Sequence, residues 1–269
     1  MERPIYDTLI LSDLHLGSEV SLARDAKRML KQHRFRRLIL LGDIFCDLNF
    51  RRLTKEHWQF LGYIRKLANP KRNVEVVWVE GNHDHGLTNV MSHLVGVTVY
   101  QEYGWEFAGH HHLAIHGHQF DRAVFNDAFI GRFNTFLHLL LQKVDFRGRH
   151  VSRLADRLGT RWLRLTEKVS AGALARARAA GADRVFCGHT HVAMQVEEDG
   201  ISYYNTGCWV DDRPSYITIG DEGVQIHEYD DGFDDRDSGE ERGGYDSPAA
   251  EFADEAGLLE DVEYEGISR

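Results

Sequence analysis

Five apolar segments of this sequence end in the same way, with a small group of aspartate, asparagine or histidine residues. The first, LILSDLH, places Asp13 and His15 two positions apart, directly after an apolar run. Side chains two positions apart on a strand point to the same side, and polar groups at strand ends meet at one edge of a sheet. We therefore expect all five groups to form one site. They are Asp13 and His15; Asp43; Asn82, His83 and Asp84; His116 and His118; and His189 and His191.

Helical patterns separate the first three of these segments. Residues 22–30 and 58–67 each carry apolar side chains at helical spacing, which places Trp58 and Leu61 on a predicted buried face. After His191 the pattern changes to short strands separated by turn sequences such as EEDGIS. An α/β beginning followed by hairpins predicts an α/β (α+β) fold in which two sheets pack together with helices outside.

The distribution of charge divides the chain into two parts. Residues 228–269 hold 16 acidic side chains and 3 arginines, a net charge of −13, whereas the preceding 227 residues carry a net charge of +3. We therefore predict a main domain over residues 1–230 and an acidic, disordered tail over residues 231–269, which is too polar to form a core. Residues 120–180 have a helical, arginine-rich pattern, and we interpret them as a cap inserted into the main domain.

Composition and targeting signals indicate a cytoplasmic protein. No apolar run reaches the roughly 18–20 residues that span a bilayer, and the N-terminal residues lack the pattern of a secretory signal. The three cysteines are odd in number and widely spaced, which favours a reducing compartment over a disulfide framework. We expect at most peripheral contact with the inner face of a membrane.

The types of side chain in the predicted site indicate a metal centre. Carboxylate, amide and imidazole groups without cysteine favour manganese, iron, zinc, cobalt or magnesium over a thiolate zinc site. The potential ligands are too numerous for one ion. Two ions about 3.5–4 Å apart form the arrangement that stabilises both the attacking and the leaving oxygen in phosphoryl transfer. We expect two divalent ions, with manganese as the first candidate.

The ordered motifs D-x-H, GD, GNHD, HGH and GHTH resemble those of the calcineurin-like metallophosphoesterases, over about residues 5–227. The resemblance implies a sandwich of two mixed β-sheets flanked by helices and the hydrolysis of a phosphodiester or pyrophosphate bond. It also implies that His83 donates a proton to the leaving oxygen or stabilises the developing charge, with Asp84 orienting its ring. The implied ligands are Asp13, His15, Asp43 and His191 for one ion, and Asp43, Asn82, His116 and His189 for the other.

Within this family, the blocks HGHQFD and NTGCWVDD and the helical cap resemble UDP-2,3-diacylglucosamine hydrolases (diphosphatases) of the lipid A pathway. The resemblance implies a nucleotide-linked lipid as the substrate. In the cap, apolar stripes over residues 133–144 and 151–165 run beside basic residues. Because such stripes suit an anionic amphiphile at a membrane surface, we expect Arg157, Arg161 and Arg164 to bind its polar part. The alternative is an ordinary helical hairpin that packs on the main domain and leaves these arginines in solvent.

Two further histidine groups need an interpretation. His118 stands where these relatives often have aspartate, and we expect it at the rim of the site, where it would contact the substrate. The triplet His110–His112 resembles a metal-binding run, but we interpret it as a turn that enters the strand at Leu113.

Two alternative functions stay open. One is a soluble phosphodiesterase or phosphatase that acts on nucleotides or phosphoproteins. The other is a non-catalytic, metal-stabilised scaffold, against which the intact ligand set and His83 both argue. We expect no nucleic-acid partner, because the cap lacks an aromatic stacking pattern beyond Trp162 and the acidic tail would compete with nucleic acid.

Overall fold

A computed structural model describes residues 4–86, 91, 93, 95–121 and 150–230, with the side chains of residues 150–163 excepted. Within these residues the chain forms eleven β-strands in two sheets and three α-helices. The helices are α1 (Ala23–Gln32), α2 (Lys55–Leu67) and α3 (His150–Ala180). Short 3₁₀ turns lie at Phe50–Arg52, Pro70–Arg72 and His118–Phe120. None of the helices described here has both the length and the apolar character needed to cross a membrane.

Both sheets are mixed. Sheet 1 consists in spatial order of β11 (Gly223–Glu228), β10 (Ser215–Gly220), β1 (Ile5–Leu11), β2 (Arg34–Leu41), β3 (Glu75–Val79) and β4 (Val99–Tyr100). Sheet 2 consists of β5 (Glu102–Phe107), β6 (His110–Ile115), β7 (Arg184–Cys187), β9 (Ile201–Asn205) and β8 (Met194–Glu198). Strands β1 to β4 run parallel in sheet 1, as do β6, β7 and β9 in sheet 2.

The strand sequences explain the layered packing. Successive side chains of a strand point to opposite faces, so Ile10 of β1 faces the second sheet while Leu9 and Leu11 face the helices. Between the sheets, Ile39 and Val77 pack in one cluster with side chains of sheet 2 such as Phe186. Both faces of β1 and β2 are thus buried, which is why these strands read as continuous apolar runs. The predicted sandwich of two mixed sheets flanked by helices is confirmed.

Helix α2 buries its predicted face except at Trp58, which is 44% exposed, whereas Leu61 and Ile64 are buried. Its first turn accounts for the exposure of Trp58, because the ring of His57 takes the inward position and accepts hydrogen bonds through Nδ1 from the backbone N–H of Thr54 (3.1 Å) and of Gly17 (3.2 Å). With His57 facing inward, the positions three, four and seven residues later follow it into the core. The prediction for Trp58 was wrong.

The second half of α3 packs on sheet 2. Val169, Ala173 and Ala177 are fully buried, and the two alanines cluster with Leu113 and Val185 of the sheet. This part of the segment interpreted as a cap therefore forms the outer helical layer of the main domain. The apolar stripe over residues 133–144 lies outside the described residues, and so does the acidic tail over residues 231–269.

Candidate metal centre

The five polar groups lie at the carboxyl ends of five strands, as the sequence predicts. Asp13 follows β1, Asp43 follows β2 and Asn82 follows β3, all in the parallel part of sheet 1. His116 and His189 follow β6 and β7, the parallel pair of sheet 2. Backbone hydrogen bonds tie these loops together, including Asp13 N–H to the Gly42 carbonyl oxygen (3.0 Å).

The side chains form overlapping groups that are linked through His15 and Asp43. One group brings together potential ligand atoms of Asp13, His15 and His191, and another brings together those of Asp43, His116 and His189, each within 4.8 Å of one another. A third group of the same compactness joins His15, Asp43 and His83. The arrangement therefore has the composition expected for two neighbouring cation positions.

The closest contacts run between basic and acidic atoms. His191 Nε2 lies 3.2 Å from Asp13 Oδ1, and His116 Nε2 lies 3.3 Å from Asp43 Oδ2. His15 Nε2 and His191 Nε2 are only 3.2 Å apart. Two imidazole nitrogens at this separation share at most one proton, or else both bind a third partner.

Several buried polar atoms of this centre are unsatisfied. Among the described residues, Asp13 Oδ1, Asn82 Oδ1, His116 Nε2 and His189 Nε2 are buried and lack a hydrogen-bond partner. Buried polar atoms are almost always hydrogen-bonded, so four such atoms in one place require an explanation. They are oxygen and nitrogen donors of the kinds that bind divalent cations. The residues present therefore fit a metal ion.

The backbone is strained at the same residues. Five of the site residues have a positive φ: Asp13 (53°), His15 (48°), Asp43 (50°), His189 (67°) and His191 (57°). Only three other non-glycine residues in the described part of the chain have a positive φ. Each costs on the order of 1–3 kcal/mol, and such residues concentrate at functional sites. This backbone conformation turns each side chain away from the strand direction and toward the centre.

Glycine is required where the loops approach most closely. A Cβ atom at Gly81 would collide with the side chain and the backbone nitrogen of Asp43. The glycine of the GNHD motif therefore allows the loop after β3 to lie against the loop after β2.

Electrostatics couple each carboxylate to a histidine. Burial favours the neutral form of Asp43, but His116, together with His83 and His15, outweighs it and holds the pKa of Asp43 well below its usual value. Burial likewise opposes a charge on His116, yet Asp43 raises its pKa to about 9. Asp13 and His191 form the equivalent pair, with the pKa of the acid lowered and that of the base raised. In the metal-free protein both pairs hold a proton that a cation would displace.

The neighbouring histidines differ from these pairs. Burial lowers the pKa of His15 to about 4, so its ring is neutral, as a metal ligand must be. Burial, together with His116 and His189, lowers the pKa of His118 to about 3. His118 was predicted at the rim, but it is only 9% exposed and its ring centroid lies 5.5 Å from that of His116. The 3₁₀ turn that follows β6 carries it inward, so the predicted rim position is wrong.

His83 faces the centre from the solvent side. Its Nε2 lies 3.9 Å from Asp43 Oδ2, and its side chain is 38% exposed. The other ring nitrogen, Nδ1, lies 2.8 Å from the carbonyl oxygen of Cys46, and the backbone N–H of His83 donates to Asp43 Oδ1 (2.8 Å). His83 is therefore held on both sides, with one ring nitrogen directed at the site.

Asp84 has a different contact from the one predicted. Its carboxylate accepts hydrogen bonds from the backbone N–H groups of Ile44 (3.0 Å) and Phe45 (2.9 Å). It therefore fixes the loop that carries Asp43, and the carbonyl of Cys46, not Asp84, orients His83. Burial and then the charge of Asp43 raise the pKa of Asp84 to about 7, despite these hydrogen bonds.

The predicted substrate-binding arginines are placed only in part. Arg164 on α3 is exposed. The side chains of Arg157 and Arg161 lie outside the described residues.

Several polar residues beside the centre were not predicted from the sequence. Asp121, buried at the end of the HGHQFD block, places Oδ2 3.8 Å from His189 Nε2 and Oδ1 3.8 Å from Lys168 Nζ. Ser12 and Thr206 are fully buried beside Asp13. The available signal was their position, directly before the D-x-H motif and inside NTGCWVDD.

The fold and this centre are those of a metallophosphoesterase, a class of hydrolases that act on phosphoester bonds. The chain matches the calcineurin-like phosphoesterase superfamily domain over residues 7–220 and belongs to that superfamily. No curated protein matches the chain.

Solved structures of this fold are similar to the chain at low sequence identity. Vacuolar protein sorting 29 from Cryptosporidium parvum is 16% identical over 86% of this chain and 95% of its own, with a TM-score of 0.46. YfcE, a phosphoesterase from E. coli, is 15% identical over 81% of this chain and 90% of its own, with a TM-score of 0.45. An archaeal phosphodiesterase is 14% identical over 82% and 99%, with a TM-score of 0.44.

Proposed function

We propose that the protein is a dinuclear metal-dependent phosphoesterase that cleaves a phosphodiester or pyrophosphate bond. The observation that carries the proposal is the convergence of five strand ends on two ligand groups, which a third group containing His15 and Asp43 connects. A non-catalytic scaffold would need neither the second group nor a histidine directed at it.

The proposed ligands follow the two groups. Manganese is the first candidate for both positions, with iron, zinc, cobalt or magnesium as alternatives. When bound, two such ions supply charge stabilisation for the attacking and leaving oxygens of the phosphoryl group. The first position takes Asp13, His15, His191 and Asp43, and the second takes Asp43, Asn82, His116 and His189.

His83 is the proposed general acid. The Cys46 carbonyl accepts a hydrogen bond from Nδ1, which holds the ring so that Nε2 can carry a proton toward the site. Its exposure of 38% leaves room for the leaving group to reach Nε2. Asp84 contributes by holding the Asp43 loop rather than by touching His83.

The proposed substrate is a nucleotide-linked lipid such as UDP-2,3-diacylglucosamine. Support comes from the likeness of the HGHQFD and NTGCWVDD blocks and from the exposed Arg164 on α3, the helix that continues from the predicted cap. Arg157, Arg161 and Arg164 would bind its anionic part, and His118 lies too deep for direct contact. We place the protein in the cytoplasm, with peripheral membrane contact through the cap. A soluble phosphodiester is the alternative, supported by the exposure of His83.

The test of the reaction class is a turnover assay on metal-loaded and chelator-treated protein, with a model diester, cyclic nucleotides and UDP-sugar lipids as substrates. Asp43→Asn should abolish turnover, because this carboxylate serves both ligand groups. Asp47→Asn is the matched control, since Asp47 is a surface residue paired with Arg52 (2.6 Å). Full activity of metal-free protein, or of Asp43→Asn, would refute the proposal.

The substrate class is tested by Arg164→Ser. If Arg164 binds the lipid-linked substrate, its turnover should fall by about tenfold or more, as the loss of one charged hydrogen bond predicts, while the model diester is hydrolysed as before. Equal loss of both activities would make Arg164 a structural residue. An intact protein that prefers the soluble diester would support the alternative.

A further inference from the structure

Two buried hydroxyl groups, those of Ser12 and Thr206, lie beside the Asp13 carboxylate. The hydroxyl of Ser12 contacts both Asp13 Oδ2 and the hydroxyl of Thr206. It also lies 3.2 Å from the carbonyl oxygen of Gly207, and the Thr206 hydroxyl lies 3.2 Å from that of Cys187. Ser12, Asp13 and Thr206 are each completely buried, so these groups have only one another and the backbone as partners.

The number of available protons determines the direction of these linked hydrogen bonds. An ionised carboxylate only accepts hydrogen bonds, and each hydroxyl has one proton to donate. Asp13 Oδ2 therefore requires the proton of Ser12, and the contact between the two hydroxyls then requires the proton of Thr206. The resulting order, Thr206 to Ser12 to Asp13, is the arrangement that satisfies both short contacts.

The two oxygens of Asp13 are thereby distinguished. Oδ2 accepts from Ser12 and from the backbone N–H of His189 (3.1 Å). Oδ1 has no hydrogen-bond partner among the described residues and lies 3.2 Å from His191 Nε2, within the first ligand group. One oxygen is fixed by protein donors, and the other is presented to the proposed metal position.

Glycine keeps this contact open. A Cβ atom at Gly188 would lie 2.6 Å from Ser12 Oγ and would also collide with Asp13 Oδ2. The backbone of the GHTH loop therefore passes close enough for His189 N–H to reach the carboxylate.

We propose that Ser12 and Thr206 are positioning residues that hold the Asp13 carboxylate in its metal-binding orientation, with Thr206 acting through Ser12. The inference rests on the proposed function, because it assigns Asp13 Oδ1 to a divalent cation. Removing a group that orients a metal ligand typically weakens metal affinity by about 10- to 100-fold. Ser12→Ala and Thr206→Val should each fall in this range.

The experiment measures the affinity of the full-length protein for Mn²⁺ alone, by competition with a fluorescent chelator, and the rise in Tm on adding Mn²⁺. Thr206→Ser retains a hydroxyl and should recover wild-type affinity. Ser170→Ala is the matched control, since the buried Ser170 hydroxyl donates to the Glu167 carbonyl (3.0 Å) on α3. The double variant Ser12→Ala/Thr206→Val should bind no more weakly than Ser12→Ala, because Thr206 acts through Ser12.

Three results would overturn the proposal. The first is Mn²⁺ affinity within twofold of wild type in folded Ser12→Ala, the second is failure of Thr206→Ser to recover affinity, and the third is additive losses in the double variant, which indicate separate structural roles. Because affinity is measured without substrate, a wild-type protein that binds Mn²⁺ but hydrolyses nothing refutes the proposed function and leaves this inference standing. A protein that binds no divalent ion refutes both.

Discussion

The two ends of strand β6 carry similar residues and do different things. His110, His111 and His112 lie at the start of the strand, and His116 follows its end. All the metal-competent groups found among the described residues lie at the carboxyl end, and none includes the triplet. The comparison shows that histidine content alone does not make a site.

At the start of β6, each histidine has a separate environment. His112 is buried and packs against both Trp105 and Phe186, with ring centroids 4.9 and 5.8 Å away. His111 is 59% exposed and faces Glu106 (3.2 Å). Alternation along the strand sends neighbouring rings to opposite faces, so they do not converge. The triplet is part of the strand, and its interpretation as a turn was wrong.

At the carboxyl end of β6, neighbouring strands contribute the acidic and polar groups that one strand alone does not provide. His116 meets Asp43 from the other sheet at 3.3 Å, and its Nδ1 lies 2.9 Å from the carbonyl oxygen of Leu41. The site thus requires strand ends from both sheets at one edge, a property of topology and not of local composition.

The largest expected difference between the two ends of β6 appears when His116 or His112 is replaced by alanine. His116→Ala should lose one of two bound ions and essentially all turnover, because it removes a member of the second ligand group. His112→Ala should keep full metal content per folded molecule while losing stability, since it leaves a cavity beside the rings of Trp105 and Phe186. Elemental analysis of both variants, with turnover assays, decides the matter. Equal metal loss in the two variants would show that the whole strand, not its end, governs the site.

The next largest effect is expected at His83, which faces the site but is not one of the proposed metal ligands. His83→Ala should keep the metal content and slow turnover by about 10²- to 10⁴-fold, the range for a general acid. The loss should shrink for substrates with good leaving groups, which need little protonation. Rates for a series of aryl phosphodiesters measure this dependence. An equal loss across the series would leave His83 with charge stabilisation alone.

The sequence predicted the site better than its surroundings. Strand ends and ligand motifs are local features, so Asp13, Asp43 and His116 were assigned from spacing and order. The inward turn of His118 and the contact of Asp84 with the Ile44 loop depend on how loops from different strands fit together. Ser12 and Thr206 lie 194 positions apart in the chain, and nothing local indicates that their hydroxyls meet.

The smallest expected effect is on the pH dependence of stability, and it arises from His112. Burial is the main cause that lowers the pKa of His112 to about 4. Arg184 acts in the same sense, since its guanidinium Nη1 lies 3.5 Å from His112 Nε2, whereas the hydrogen bond between Nδ1 and the His110 carbonyl oxygen (3.0 Å) acts against it. A proton on Nε2 would face a positive charge, so the folded protein keeps this ring neutral.

The sign follows from comparing the folded and unfolded chains. An unfolded histidine titrates near pH 6.5, so on acidification the unfolded chain takes up this proton before the folded one. The contribution of neutral His112 is therefore fully present above about pH 6.5 and is lost as the pH falls toward 4, by at most about 3 kcal/mol. Urea unfolding of chelator-treated wild type and His112→Phe, which keeps the stacking but has no titratable group, measures the difference at pH 7.0 and pH 4.5. The wild type should lose more stability than the variant between these values, with the exposed His111→Ala behaving like wild type. Parallel losses in wild type and His112→Phe would show that burial of the His112 ring does not depress its pKa. The histidines at the two ends of β6 would then differ only in their neighbouring residues.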